Sequence, residues 1–196
     1  MRFFKLAVAA AVMMCSAQVF AETKAPVASA AAVPQVSAKK ILVVYYSRTG
    51  NTKKVAEDIA RGLNADIERI IDKKDRSGAG GYLKAGRDAT KERLTDIAPI
   101  INNPAKYDLI VIGTPVWGWN MTPAVRAYIT GNKASFKEAA FFTTAGGTKP
   151  DRIVGKMETL AGLKTKTFTG FFAGDFKEGN RAVYDKKLSG FIEGLK

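Results

Sequence analysis

Six consecutive residues at positions 47–52 combine the side chains and the backbone freedom that a phosphate site needs. They are Ser47, Arg48, Thr49, Gly50, Asn51 and Thr52. Hydroxyl and amide groups can donate hydrogen bonds to phosphate oxygens, and a glycine lets the backbone turn tightly around them. Because a helix is predicted to follow, its free N–H groups and the positive end of its dipole would add to the site. The segment therefore favours phosphate binding without a lysine. The alternative is a Ser/Thr-rich helix cap, for which one side-chain oxygen usually suffices.

The composition excludes several other kinds of site. Segment 47–52 contains neither the Gly-Lys-Ser/Thr of a Walker A loop nor the Gly-x-Gly-x-x-Gly of a dinucleotide turn. The chain has no histidine, which excludes Ser-His-Asp triads and histidine-ligated metals. A site without these groups fits a protein whose chemistry is supplied by a bound cofactor.

Two further segments carry features that suit a planar ring. The first consists of Pro115, Val116, Trp117, Gly118 and Trp119, and the second of Thr144, Ala145, Gly146 and Gly147. A flat ligand needs an apolar or aromatic face and a few backbone polar groups close to it, which the tryptophans and glycines could supply. The alternatives are that the tryptophans pack in the core and that the glycine pair forms a plain turn.

The hydrophobic pattern places these segments after strands. Continuous apolar runs predict strands at 41–46, 66–71, 109–113, 139–144 and 166–173, and helical periodicity predicts helices around 55–63, 83–97, 123–129, 151–160 and 180–195. Five strands alternating with about five helices indicate a parallel sheet with helices on both faces. Ligands in such folds bind outside the carboxyl ends of the strands. The basic stretch 78–94 either lines the open side of that site or forms a solvated surface helix.

The segment 46–52, Tyr-Ser-Arg-Thr-Gly-Asn-Thr, is similar to the FMN phosphate-binding signature of the flavodoxin-like family. Segment 107–120, Tyr-Asp-Leu-Ile-Val-Ile-Gly-Thr-Pro-Val-Trp-Gly-Trp-Asn, resembles that family's second flavin loop, and 143–148 corresponds in position to the third flavin contact. The resemblance extends over residues 40–196. It implies a flavodoxin-like five-stranded parallel sheet in a three-layer α/β/α arrangement, with FMN as the cofactor.

The resemblance also implies roles for single residues. Trp117 would stack on the isoalloxazine, and the Gly118 peptide would lie near flavin N5. The third loop lacks the acidic or tyrosine residue that electron-carrier flavodoxins often show. The second ring-stacking side chain is therefore open, with Trp119 and Phe172 as candidates.

The amino terminus predicts export. Residues 1–21 form a signal peptide with a basic start, an apolar run too short to span a bilayer, and small residues before the predicted cleavage site. Residues 22–39 are predicted to be a flexible linker, and the folded domain is predicted to be periplasmic. Cleavage would lower the formal charge from +13 to +11 and remove Cys15, the one cysteine, which excludes a cysteine-dependent phosphatase.

The positive charge predicts an anionic partner. Nucleic acid is excluded because the cations are dispersed and no known binding module is present. The sequence predicts an FMN protein that transfers electrons to or from a redox partner, which is acidic or membrane-associated, and whose flavin has a raised reduction potential. The alternatives are an FMN-dependent quinone reductase and a non-redox binder of FMN or another phosphorylated ligand. The oligomeric state is left open.

Overall fold

The computed structural model describes residues 39–196. The predicted signal peptide, 1–21, and all but the last residue of the predicted linker, 22–39, lie outside the described residues. Within the described residues, no helix combines the length and apolar character needed to cross a membrane.

A parallel sheet forms the centre of the domain. Its strands are β1 (Ile41–Tyr45), β2 (Asp66–Arg69), β3 (Leu109–Trp117), β5 (Ala139–Ala145) and β6 (Phe168–Phe172), and the two-residue β4 (Asn120–Met121) pairs antiparallel with the end of β3. The spatial order is β2-β1-β3-β5-β6. When only the parallel strands are counted, this is the 2-1-3-4-5 order of flavodoxin-like sheets. The topological switch point of that order, where the chain changes the side on which it adds strands, lies between β1 and β3. The predicted fold class is confirmed.

Five α-helices cover the two faces of the sheet. They are α1 (Asn51–Leu63), α2 (Gly78–Thr90), α3 (Pro123–Asn132), α4 (Pro150–Ala161) and α5 (Arg181–Leu195). Side chains alternate across a strand, so Leu42 and Val44 of β1 pack with α2, α3 and α4, whereas Val43 and Tyr45 pack with α1 and α5. Burial on both faces explains why β1 is a continuous apolar run.

The prediction for the segment between β2 and β3 was wrong in its bounds. The helix begins at Gly78 and ends at Thr90, whereas 83–97 was predicted. Glycines lower helix propensity, but here they allow close packing. A Cβ at Gly81 would lie 2.6 Å from the backbone carbon of Arg76, and a Cβ at Gly118 would lie 2.6 Å from the Gly86 carbonyl oxygen. The start of α2 therefore packs closely on Arg76, and the Gly118 turn packs closely on Gly86 of the helix.

The third strand is longer than predicted. Apolar continuity indicated an end at Gly113, but β3 continues to Trp117. Thr114 and Pro115 pair with Thr143 and Thr144 of β5, and Trp117 pairs with Asn120 of β4. Pro115, Val116 and Trp117 are therefore strand residues, and only the next two residues form the turn.

Candidate functional site

The loop after β1 presents the open end of a helix. Gly50 precedes α1 with a φ of 101°, a left-handed conformation that glycine adopts without strain. Its N–H donates to the Ser47 hydroxyl at 3.1 Å, which closes the loop. No described side chain caps the first turn of α1, and Thr49 and Asn51 are exposed beside it. The free N–H groups and the helix dipole form a cradle that fits a phosphate group.

The buried hydroxyls of the predicted phosphate residues also hold the loops together. Ser47 is 5% exposed and Thr52 is 1% exposed. The Thr52 hydroxyl bonds to the Thr144 hydroxyl at 2.7 Å, which ties the start of α1 to the end of β5. Thr52 and Thr144 therefore connect two loops of the site through their hydrogen bond. The side chains that stay open to a ligand in the first loop are Arg48, Thr49 and Asn51.

The turn between β3 and β4 contains two residues with positive φ. Gly118 has a φ of 52° and Trp119 a φ of 57°, as the central residues of a type I′ hairpin turn have. This conformation is strained for a tryptophan. The Gly118 carbonyl accepts a hydrogen bond from the Thr90 hydroxyl at 3.2 Å. The turn is thus held from α2 and directs an aromatic residue outward.

The two tryptophans have opposite environments. Trp117 is 8% exposed, belongs to the core beneath α2, α3 and α4, and makes an edge-to-face contact with Tyr46 at 5.5 Å. Trp119 is 67% exposed. The stacking role of Trp117 stays a prediction, and its residue is already largely covered by protein. Trp119, a candidate for the second stacking position, has the free aromatic face.

A polar network supports the turn from below. Asn120 is 1% exposed, accepts from Arg126 Nη2 at 3.1 Å, and donates to Glu92 at 3.0 Å. Glu92, with a φ of 55°, also binds Lys156 at 2.9 Å, and this contact is the main cause of the lowered pKa of its carboxyl. The network links α3, α4 and the segment just after α2 to the turn. Arg126 lies outside the sequence motifs, and Glu92 lies in the basic stretch 78–94 without a periodic or spacing signal that marks it.

The third loop leaves room for a ligand. Gly146 and Gly147 are exposed, and a Cβ at either position would meet no heavy atom within 4 Å. Ala145 ends β5 and is half-buried. The Thr143 hydroxyl is buried without a hydrogen-bond partner among the described residues. This loop fits the close approach of a flat group to backbone.

Helix α2 runs along the site from the first loop to the turn. Near its start, the Arg48 guanidinium lies 5.2 Å from the centre of the Tyr82 ring and its Nη2 lies 3.5 Å from the Gly78 carbonyl. At its end, Thr90 holds the Gly118 carbonyl. The basic stretch therefore lines the site, and the exposed Tyr82 is part of that wall. Phe172, the other ring candidate, lies on the edge strand β6 with Lys187 Nζ 4.6 Å from its ring centre.

A buried ion cluster fixes the segment that leads into α2. Arg76 Nη1 binds Asp88 at 2.6 Å, and Arg76 Nε binds Asp72 at 3.0 Å. The hydrogen bond from Arg76 is the largest influence on Asp88 and holds the pKa of its carboxyl at about 2. Asp88 is therefore charged at neutral pH, and the ion pairs of Arg76 anchor the segment 72–76 to the helix.

Sequence and structure comparisons match this arrangement. The family model described as flavodoxin matches residues 40–166. A flavoprotein from Lactobacillus acidophilus NCFM, solved in complex with FMN, is 26% identical over 76% of this chain and 99% of its own, with a TM-score of 0.60. The NMR structure of the apo-form of the flavoprotein from that organism is 27% identical over 71% of this chain and 97% of its own, with a TM-score of 0.55. The chain belongs to the flavodoxin family.

Proposed function

We propose that this chain binds FMN non-covalently and transfers electrons in the periplasm. The observation that carries the proposal is that three local features lie together at the carboxyl ends of the parallel strands. These are the uncapped start of α1 after β1, the outward Trp119 after β3, and the open glycine pair after β5. The family and the FMN complex of the similar Lactobacillus acidophilus flavoprotein support FMN as the cofactor.

Each of the three loops contacts a different part of FMN in this proposal. The free N–H groups at the start of α1 hold the phosphate, with Thr49 and Asn51 as side-chain donors and Arg48 as the nearby positive charge. Trp119 supplies an aromatic face, and Gly146 and Gly147 let backbone approach the ring. Bound FMN supplies the electron-transfer chemistry. The protein holds and orients the group and sets the charge around it.

The charge on α2 favours a protein partner. Lys84 and Arg87 are exposed on the helix, while its carboxylate, Asp88, is buried and paired within the described cluster. This positive face adjoins exposed Tyr82, on the wall of the site. An acidic redox partner that docks on α2 would be attracted by the charge and would cover the site.

The periplasmic location rests on the predicted signal peptide, 1–21. Soluble nicotinamide cofactors are not expected in that compartment, which makes a membrane flavoprotein or cytochrome a better-suited donor. A quinone reductase is the second candidate function, favoured by the open glycine loop, because a small flat acceptor could reach the site there.

Absorption and fluorescence titration test the cofactor assignment. Protein that lacks residues 1–21 is titrated with FMN and with riboflavin, which has the ring but no phosphate. We expect FMN to bind at least about tenfold more tightly than riboflavin, since charge-assisted hydrogen bonds to phosphate are lost. Failure to bind either flavin would overturn the flavin assignment. Equal affinity for both would assign the first loop to helix capping alone.

A charge-reversal pair tests the docking face. Lys84→Glu/Arg87→Glu should slow electron transfer to an acidic carrier protein and weaken the dependence of the rate on salt, because steering is electrostatic. Lys166→Glu is the control, since Lys166 is exposed just before β6, at the opposite edge of the sheet. Fast turnover with a quinone, indifferent to salt and to both variants, would favour the reductase over the carrier.

A further inference from the structure

A cavity opens on the side of the phosphate loop that faces β2. It has a volume of about 520 Å³ and lies between the loop after β1 and the segment 69–78 after β2. Its lining includes Arg48, Arg69, Ile71, Lys73 and Arg76. Trp119 and the glycine pair follow β3 and β5, on the far side of β1 in the strand order. The cavity therefore extends the phosphate cradle away from the proposed ring position.

The cavity carries surplus positive charge. Arg48, Arg69 and Lys73 are exposed and form no ion pair with any residue that the structure describes. Arg69 Nη2 lies 3.5 Å from the Ser47 carbonyl, which places this cation next to the phosphate loop. An anion in the cavity would thus meet unpaired charge.

The two carboxylates that line the cavity already have partners of their own. Asp72 binds Arg76 at 3.0 Å and accepts from the Thr95 hydroxyl at 2.7 Å. Asp75 accepts two hydrogen bonds from Ser77, at 2.8 and 2.9 Å, and these hold the pKa of its carboxyl below the usual value. Neither carboxylate neutralises Arg69 or Lys73.

Two rigid features add to the preference for phosphate. Arg76 has a side chain that is 3% exposed, and its Nη2 has no hydrogen-bond partner among the described residues. Its other nitrogens are fixed by Asp72 and Asp88, so the guanidinium is held in place and offsets the charge of those carboxylates. The Ser77 hydroxyl is turned toward Asp75, so the first turn of α2 is left without a side-chain cap.

The cavity also has an apolar surface. Ile71 is 48% exposed there, above the buried Ile70. Arginine guanidinium groups stack on flat rings as well as binding phosphate. Unpaired cations beside an exposed aliphatic surface, in a volume within the usual range for small-molecule sites, suit a nucleoside phosphate.

We propose that this cavity binds an adenylate group, so that the chain accepts a flavin dinucleotide across the phosphate loop as well as FMN. The proposal rests on the proposed flavin site. The adenylate has two sources, which are the second half of FAD or a free adenosine monophosphate bound beside FMN. Arg69 and Lys73 would contact its phosphate, and Ile71 would contact its base.

Titrations with three ligands test the proposal. Wild-type protein is titrated with FMN, with FAD, and with adenosine monophosphate after loading with FMN. The double variant Arg69→Gln/Lys73→Gln removes two of the unpaired cations of the cavity, while Lys106→Gln/Lys166→Gln removes two exposed cations near the amino-terminal edge of the sheet. We expect FAD to bind wild type within about tenfold of FMN. The cavity variant should weaken FAD binding by about tenfold or more with little change for FMN, and the control should leave both affinities within about twofold.

Each outcome separates the two proposals. Binding of adenosine monophosphate to FMN-loaded protein, lost in the cavity variant, would support the adenylate site with a free nucleotide as its source. Rejection of FAD by more than about a hundredfold, with no binding of adenosine monophosphate, would overturn the proposal while leaving FMN binding intact. Equal losses for FMN and FAD in the cavity variant would overturn it too, since the cations would then serve the FMN phosphate. A chain that binds no flavin fails the proposed function instead.

Discussion

The hydroxyl groups of Thr52 and Thr144 lie 2.7 Å apart and form a buried hydrogen bond between the first turn of α1 and the end of β5. These residues are separated by 92 positions in the sequence. The bond sets the spacing between the phosphate cradle and the glycine loop before any ligand arrives. A preformed spacing of this kind lowers the ordering cost of binding.

A double-mutant cycle measures the value of this bond. Thr52→Val and Thr144→Val each leave a buried hydroxyl without its partner, so each should destabilise the fold by about 1–3 kcal/mol. The double variant should cost less than the sum of the two, by about 1 kcal/mol, because both partners are then removed together. Urea denaturation provides the free energies of unfolding. Additive losses would show that the two hydroxyls are not coupled in solution.

Substitutions of the two tryptophans should have different effects on the stability of the fold and on FMN binding. Trp119→Ala removes an exposed ring from a strained backbone position, so we expect FMN affinity to fall by about tenfold while thermal stability is retained. Trp117→Ala opens a cavity in the core and should cost about 3–5 kcal/mol of stability. Fluorescence titration with FMN and thermal denaturation are measured on both variants. If Trp119→Ala binds FMN as tightly as wild type, the outward ring has no role in binding.

Added methyl groups should distinguish a packed glycine from an open one. A Cβ at Gly118 would lie 2.2 Å from the Thr90 hydroxyl at a φ of 52°, so Gly118→Ala should displace the turn and lower the melting temperature. Gly146→Ala meets no protein atom and should leave stability within about 0.5 kcal/mol, while reducing FMN affinity if the ring lies against that backbone. Unchanged affinity in Gly146→Ala, with the fold intact, would remove the third loop from the site.

The main strands could be predicted because their signals are local. The apolar runs after Lys40 and Asp108 are continuous, as strands buried on both faces require, and their order of alternation with helices limits the fold to a parallel sheet. The phosphate loop is similarly local, since Gly50 and the hydroxyls lie within six residues. These features needed no knowledge of distant contacts.

Other features depend on specific backbone and side-chain contacts that the hydrophobic pattern does not encode. Trp117 and Trp119 have the same side chain, and only the pairing of Trp117 with Asn120 decides which one is buried. The start of α2 depends on packing of Gly81 against Arg76. The role of Arg126 comes from its buried hydrogen bond to Asn120. Composition and periodicity carry none of this information.

Low pH should lower the stability of the fold, because protonation of Asp88 weakens the ion pairs that hold α2. Three cations surround this carboxylate, with Arg76 Nη1 at 2.6 Å, Lys74 Nζ at 3.0 Å and Arg93 Nη1 at 3.2 Å. The folded state holds the pKa of Asp88 at about 2, below its ordinary value of 3.8. Because the unfolded chain takes up the proton first, the stability that Asp88 contributes is complete above about pH 4 and is lost as the pH falls toward 2. Lysine and arginine stay charged throughout this range, so the change belongs to the carboxylate.

Urea midpoints between pH 5 and pH 2 measure this contribution, with Asp88→Asn as the test variant and Asp185→Asn as the control. Asp185 is an exposed carboxylate on α5 that pairs with Arg181 alone among the described residues. Wild type and Asp185→Asn should lose stability in parallel below about pH 4, whereas Asp88→Asn should start lower and decline less steeply, since it has no carboxyl left to titrate in the cluster. Parallel decline in all three proteins would mean that the Arg76 cluster does not hold Asp88 ionised, and that α2 is anchored by packing at Gly81 and by the approach of Gly118 to the Gly86 carbonyl instead.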